Sequence, residues 1–441
     1  MNELSGFPSA ELQFDRDAGV VGSTDNLLGL ATDPAVTDLM VVSHGWNNDM
    51  SEARQLYSNL AASLRTVLDS GAVPGLAGRS IGIAGVLWPS KKFAETDLIP
   101  GGAAAAASPI DAGRLLAQIE ELRDLFPDAA AQQTLDAASA LVPTLQDKSS
   151  ARAAFADHLR SLLDRAAADP EDASTDLFTQ QGGTIMDRLA VPVSLAPPRE
   201  TAGGAAALGP AADASRGTVG GAAGLGSLLG GVMGAARSLL NFTTYYEMKT
   251  RSGRIGEHGL APVIAQAHRT RPELRVHLVG HSFGGRLVSA TAKALPDEDS
   301  LSTLTLLQAA FSHYGFAENW TPGQSGFFRN VVSDKKVAGP VLITDTANDL
   351  AVGIAYAIAS RIAGQVAAAV GDADDIYGGM GRNGAQKTPE AISAQLLDTG
   401  GQYTWKARAL HNLLADRFIT GHSDVTGLQV AYALLSALST T

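Results

Sequence analysis

Val276-His277-Leu278-Val279-Gly280-His281-Ser282-Phe283-Gly284-Gly285-Arg286-Leu287-Val288 reads as a buried strand, a tight turn and the first turns of a helix. The apolar pair Leu278 and Val279 enters the turn. Leu287, Val288 and a run of small residues leave it as a helix that stops near Pro296. Gly280 and Gly284 stand two places either side of Ser282, where the neighbouring backbone must pass close by. Such a turn holds the serine in a strained conformation at the end of a strand. It also sets the hydroxyl at a helix N-terminus, whose dipole favours developing negative charge. Ser282 is therefore the candidate nucleophile.

Upstream, a short strand is expected within residues 11–21. Leu39, Met40, Val41 and Val42 then form a continuous apolar run that ends in Ser43-His44-Gly45-Trp46-Asn47-Asn48. A strand buried on both faces has this composition. Apolar residues at helical spacing follow over 52–68 (Leu56, Leu60, Leu64, Val67), and a second buried strand runs over 81–87, closed by Trp88-Pro89-Ser90. Downstream, residues 304–307, 341–343 and about 409–414 read as further strands. Helices are predicted over 255–268, 356–370 and 428–438, the last capped by Ser423 or Asp424. Strands alternating with helices at this spacing predict an α/β fold with a mostly parallel, doubly wound sheet.

Composition changes sharply after Pro100. Residues 101–107 are almost pure Gly and Ala, and strand patterns disappear until about Val276. Leu115, Ile119, Leu122 and Phe126 share one helical face, as do Phe155, Leu159 and Leu162. The chain therefore divides into a body, residues 1–100 and 245–441, and a helical, Ala/Gly-rich insertion over 101–244. Residues 217–236 carry no charge and are long enough to span a bilayer. Their high Gly and Ala content inserts weakly and no second span accompanies them, so a mobile cover over the body is the preferred reading. Contact of this cover with a lipid surface stays open.

A net charge of −12 argues against a nucleic-acid partner. The absence of cysteine excludes disulfides, thiolate metal sites and cysteine nucleophiles. The acidic N-terminus has no basic start and no apolar core, so it is not a secretory signal and a cytoplasmic location is expected. Asp372, Asp374 and Asp375 are clustered, but Ile376 and Tyr377 interrupt a calcium-loop pattern; no metal and no cofactor is expected.

A serine hydroxyl needs an adjacent base and a third group to orient that base. In folds built on this elbow the acid and the histidine follow the serine in that order. Of the nine histidines, only His411 and His422 lie beyond a plausible acid. His422 falls in the loop between the last strand and the last helix, whereas His411 lies within or beside that strand, so His422 is favoured. The loop after the strand at 341–343 offers Asp345 and Asp349. Asp349 has the reach of a loop residue, and Asp345 is the alternative. Asp424 is read as a helix cap. The backbone N–H groups of Phe283 and Trp46 are the candidate oxyanion donors, and His44, Gly45 and His281 are assigned to the substrate side of the site.

Taken together, His44-Gly45-Trp46, the Gly280-to-Gly284 elbow, Asp349 and His422 resemble the serine esterases and lipases of the α/β-hydrolase superfamily. The resemblance covers residues 1–100 and 245–441. It implies an α/β-hydrolase fold with a lid, a serine, histidine and acid triad, an acyl-enzyme intermediate and no cofactor. The expected activity is hydrolysis of carboxylic esters of a small-molecule or polymeric, apolar acyl substrate. A thioesterase or an amidase would use the same groups, and a non-catalytic binding protein would keep the elbow as architecture. The family most often places its lid after the strand that follows the elbow. Here the large insertion precedes the elbow, so lid contacts do not transfer.

Overall fold

A computed structural model describes residues 2–46, 49–90, 112–191, 231–296, 300–364 and 375–441. Its centre is a ten-stranded sheet of β1 (Asn2–Leu4), β2 (Phe7–Phe14), β3 (Val20–Val21), β4 (Asp38–Ser43), β5 (Ile81–Leu87), β6 (Arg275–His281), β7 (Thr303–Leu307), β8 (Val341–Asp345), β9 (Ala391–Gln395) and β10 (Leu410–Leu414). The strand order is β1-β2-β5-β4-β6-β7-β8-β10-β9. The short β1 and β3 run antiparallel to β2. All other pairings are parallel, so the expected mostly parallel α/β sheet is observed.

The alternation of side chains along β4 divides the core into two layers. Leu39 and Val41 face one cluster, shared with Leu27 and Leu30 of the helix Asp25–Thr32, Ile264 of the helix Ala261–Thr270 and Leu287 of the helix Phe283–Ala294. Met40 and Val42 face the other, with Tyr57, Leu60 and Leu64 of the helix Met50–Asp69 and Val430 and Leu434 of the helix Leu428–Leu438. Helices thus flank both faces. The chain leaves β4 through a helix on one face and leaves β6 through a helix on the other, and strand order reverses between these neighbours. Parallel sheets offer a crevice at the carboxyl ends of such a pair of strands.

Several elements differ from expectation. The predicted helix 255–268 is the last third of a longer system: an α-helix Gly231–Arg254, a π-helical turn Ile255–Leu260 and an α-helix Ala261–Thr270. Pro262 cannot donate to the preceding turn, which accounts for the widened ladder. Position 244 lies inside the first of these helices. The predicted helix 356–370 starts earlier, as Leu350–Ile362, because Asp349 caps it; residues 365–370 lie outside the described residues. The helix Leu428–Leu438 has Gly427 at its N-cap. Asp424 accepts instead from the backbone N–H and the hydroxyl of Thr420, bracing a loop rather than capping a helix. Within 101–244, residues 112–189 form helices and short helical turns whose Leu115, Ile119, Phe155, Leu159 and Ile185 join the first core layer. Of the uncharged stretch, residues 217–230 lie outside the described residues; among the described ones, no helix is long and apolar enough to cross a membrane.

Candidate active site

The site is assembled from three loops at the carboxyl ends of β6, β8 and β10, facing the loop that follows β4. Ser282 follows β6 directly, with φ 57° and ψ −123°, a backbone conformation that L-residues avoid at a cost of about 1–3 kcal/mol. The surroundings hold it there. Its N–H donates to the Leu307 carbonyl (3.0 Å), while its own carbonyl accepts from Gly285 N (2.9 Å) and Ala310 N (3.0 Å). A Cβ at Gly280 would run into the Gly284 carbonyl, and one at Gly284 into the Ser43 carbonyl. The elbow therefore closes against the end of β4 only because both flanking residues are glycine.

His422 lies 140 residues further along the chain, yet its Nε2 is 2.8 Å from Ser282 Oγ. Its Nδ1 is 2.9 Å from Asp349 Oδ2. To make these contacts the loop after β10 crosses back over the ends of β8 and β7, a span of roughly 14 Å at the usual strand spacing. The other carboxylate oxygen of Asp349 accepts from Val352 N (3.0 Å) and caps the helix Leu350–Ile362. The acid is therefore fixed by backbone and fully buried, and Ser282 is 2% exposed. The His422 side chain retains 17% exposure. With Asp349 accepting at Nδ1, the neutral ring carries its proton there and presents the Nε2 lone pair to the serine.

The remaining assigned residues are placed as follows. Gly45 lies against Ser282: a Cβ there would collide with Ser282 Cβ and stand 3.0 Å from its Oγ. His44 is fully enclosed and stacked on Trp88 at 5.3 Å. Trp88 N donates to its Nε2 (3.2 Å), so Nδ1 carries the proton and donates to the Gly45 carbonyl (2.8 Å). Burial pushes its pKa down to about 4, which keeps it neutral. His281 is also buried, with its Nε2 2.9 Å from the carbonyl oxygen of His422. Trp46 and Phe283 meet edge to face at 6.1 Å. Phe283 is the first residue of the helix Phe283–Ala294, so its N–H is one of the four that have no partner within the helix. The alternatives lie elsewhere. Asp345 is buried at the end of β8, and His411 sits in β10 with its Nε2 3.2 Å from Lys406 N.

Other residues that shape the site were not legible beforehand. The Tyr57 hydroxyl accepts from His44 N (2.9 Å) and donates to the Val86 carbonyl, tying the loop after β4 to β5. In the sequence Tyr57 is one more apolar-face residue of a helix. Asn348 Nδ2 donates to the carbonyls of Asp416 (3.1 Å) and Ile419 (2.8 Å), stitching the acid loop to the histidine loop. Gln308 adopts φ 45° after β7, with its side chain held by Thr344 and the Gly381 carbonyl. No pattern in the chain marks these three. Among the described residues, no group of His, Asp and Glu could hold a metal ion. Comparison with known protein families, curated proteins and solved structures finds no match to this chain.

Proposed function

We propose that the chain is a serine hydrolase that cleaves carboxylic esters through an acyl-enzyme, on an α/β-hydrolase fold whose insertion over 101–244 serves as a lid. The single observation that carries the reading is the continuous hydrogen-bonded line Ser282 Oγ, His422 Nε2, His422 Nδ1, Asp349 Oδ2. It lies at the carboxyl ends of parallel strands, beside the point where strand order reverses.

In this reading Ser282 Oγ attacks the acyl carbon while its proton passes to His422 Nε2. The imidazolium so formed is stabilised by the buried Asp349 carboxylate, which stays ionised. The tetrahedral oxyanion takes the N–H of Phe283 and that of Trp46. The second donor is aimed by His44: its Nδ1–H grips the Gly45 carbonyl, and in a planar trans peptide the N–H of Trp46 then points the opposite way. His422 returns its proton to the departing alkoxide as the carbon–oxygen bond breaks. Water repeats the cycle and releases the acid. Donors already fixed before reaction cost no reorganisation, and each is worth roughly 10²–10³ in rate.

Hydrolysis of p-nitrophenyl esters from acetate to palmitate, compared between wild type and Ser282→Ala, tests the reading. Turnover that vanishes in the variant supports it, and the chain-length profile separates esterase from lipase. Absence of turnover on every ester, or turnover that survives in Ser282→Ala, overturns it.

A further inference from the structure

We propose that His281 is a positioning residue, which holds the base His422 in register with the serine by gripping its backbone. The proposal rests on the reading of Ser282, His422 and Asp349 as catalytic groups, and it adds a function for a side chain that the reaction itself does not use.

The geometry is specific. His281 Nε2 lies 2.9 Å from the His422 carbonyl oxygen, and a carbonyl can only accept, so Nε2 carries the proton. Nδ1 is then a bare acceptor, and it is buried with no hydrogen-bond partner among the described residues. A buried polar atom left this way costs about 1–3 kcal/mol. An apolar side chain at 281 would avoid that cost but would leave the carbonyl of His422 unheld. The two rings lie 4.9 Å apart, so a cation at 281 would oppose the imidazolium that His422 must become. Burial, and after it the neighbouring His422, push the His281 pKa down to about 3. His281 therefore donates to the carbonyl without carrying a charge.

The loop has reason to need this grip. Gly421 precedes His422, and a Cβ there would meet nothing within 4 Å; the bonds of Asp424 with the Gly421 carbonyl (3.2 Å) and with Thr420 tie this turn only to itself, whereas the bond from His281 ties it to β6. The start of the loop is held by Asn348, the residue before the acid, and His422 itself by the residue before the nucleophile. The base is thus referenced to both partners through their chain neighbours. Displacing a catalytic group by about 1 Å can cost on the order of 10²-fold in rate.

The test compares His281→Gln, whose amide N–H can reach the same carbonyl, with His281→Leu, which cannot donate. Two readouts are taken on the full chain: the rate of Ser282 labelling by a fluorophosphonate, and histidine ring ¹⁵N spectra. Labelling is expected to slow by about 10- to 100-fold in His281→Leu and to stay within about 3-fold of wild type in His281→Gln. The spectra of wild type are expected to show His281 as one neutral ring protonated at Nε2 from about pH 5 to about pH 9. The low-field Nδ1 proton that His422 shares with Asp349 should persist in the Gln variant and exchange away in the Leu variant. Equal labelling rates in the two variants, or a His281 that carries its proton on Nδ1 or titrates in this range, would overturn the proposal. If His281→Leu does not fold, the wild-type spectrum and the Gln variant decide. If wild type takes up no fluorophosphonate, the hydrolase reading fails, while the spectra still decide whether His281 holds His422.

Discussion

His422 stands between a buried carboxylate and a buried hydroxyl, with Nδ1 at the carboxylate and Nε2 at the hydroxyl. Replacing Ser282 or His422 by Ala should lower kcat by about 10⁴- to 10⁶-fold, with thermal unfolding little changed; ester turnover and calorimetry check this. In the proposed mechanism Asp349 has two tasks that substitution can separate. Asp349→Ala should lose activity and also about 1 kcal/mol of stability, because the cap on Val352 N goes with it. Asp349→Asn keeps a capping oxygen, so kcat should fall by roughly 10⁴-fold while the unfolding midpoint holds. Chain order singles out Asp349 and His422, since each follows a strand in the right succession, and the structure brings both together with Ser282. The grip of His281 and the stitching by Asn348 could not be read this way, because a backbone carbonyl carries no signature in the sequence.

At the scale of the element, the elbow and the loop after β4 are fitted to each other through glycines. Gly45→Ala places a methyl group against Ser282 Cβ and within 3.0 Å of Oγ. Ester turnover should drop by about 10²-fold, and circular dichroism should show the fold retained, since the loop rather than the sheet must give way. Strands buried on both faces were legible because they read as continuous apolar runs: β4, β5 and β6 fall where the pattern puts them. The edge strand β9, Ala391–Gln395, is half-exposed and carries no such run, so nothing marked it. The start of the helix Leu350–Ile362 was missed because Ala351, Val352 and Gly353 show no helical period. Its cap, read only as a catalytic acid, is what sets it.

Across the whole molecule, two buried charge networks stand apart from the hydrogen-bonded line of Ser282, His422 and Asp349, sharing no residue with it. Asp169 and Asp172 pair with Lys249 of the helix Gly231–Arg254, and Glu171 and Arg286 line the same cavity, Arg286 donating from Nε to the Lys249 carbonyl at 3.1 Å. Burial, with Asp169 adding to it, pushes Glu171 up to about 8, although Phe327 N donates to it. Below pH 4.5 both folded and unfolded chains hold this proton, and between the two values only the folded chain does. Stability should therefore fall as pH rises from about 4.5 to 8. In Glu171→Gln, whose amide oxygen keeps the bond from Phe327, that fall should shrink by up to about 5 kcal/mol in denaturant titrations. At the opposite end of the sheet Asp38 is bonded to Arg79, His277 and Thr37. Burial works to raise its pKa, but these bonds hold it well below the usual carboxylate range, so this contribution is lost as pH falls below about 3.8. Arg79→Ala should cost about 3–5 kcal/mol, because it leaves a buried carboxylate without its cation. Serine labelling below the unfolding transition should be unchanged, because the network sits at the far ends of the strands.

The proposed function requires Ser282 to be a nucleophile activated by His422. Incubating the folded protein with a fluorophosphonate and mapping the adduct by peptide mass spectrometry tests it most directly. One phosphonyl group on Ser282, absent from Ser282→Ala and much slower to form in His422→Ala, is the expected result. A folded protein that takes up no adduct, or takes it up on another residue, would show that Ser282 is not an activated nucleophile.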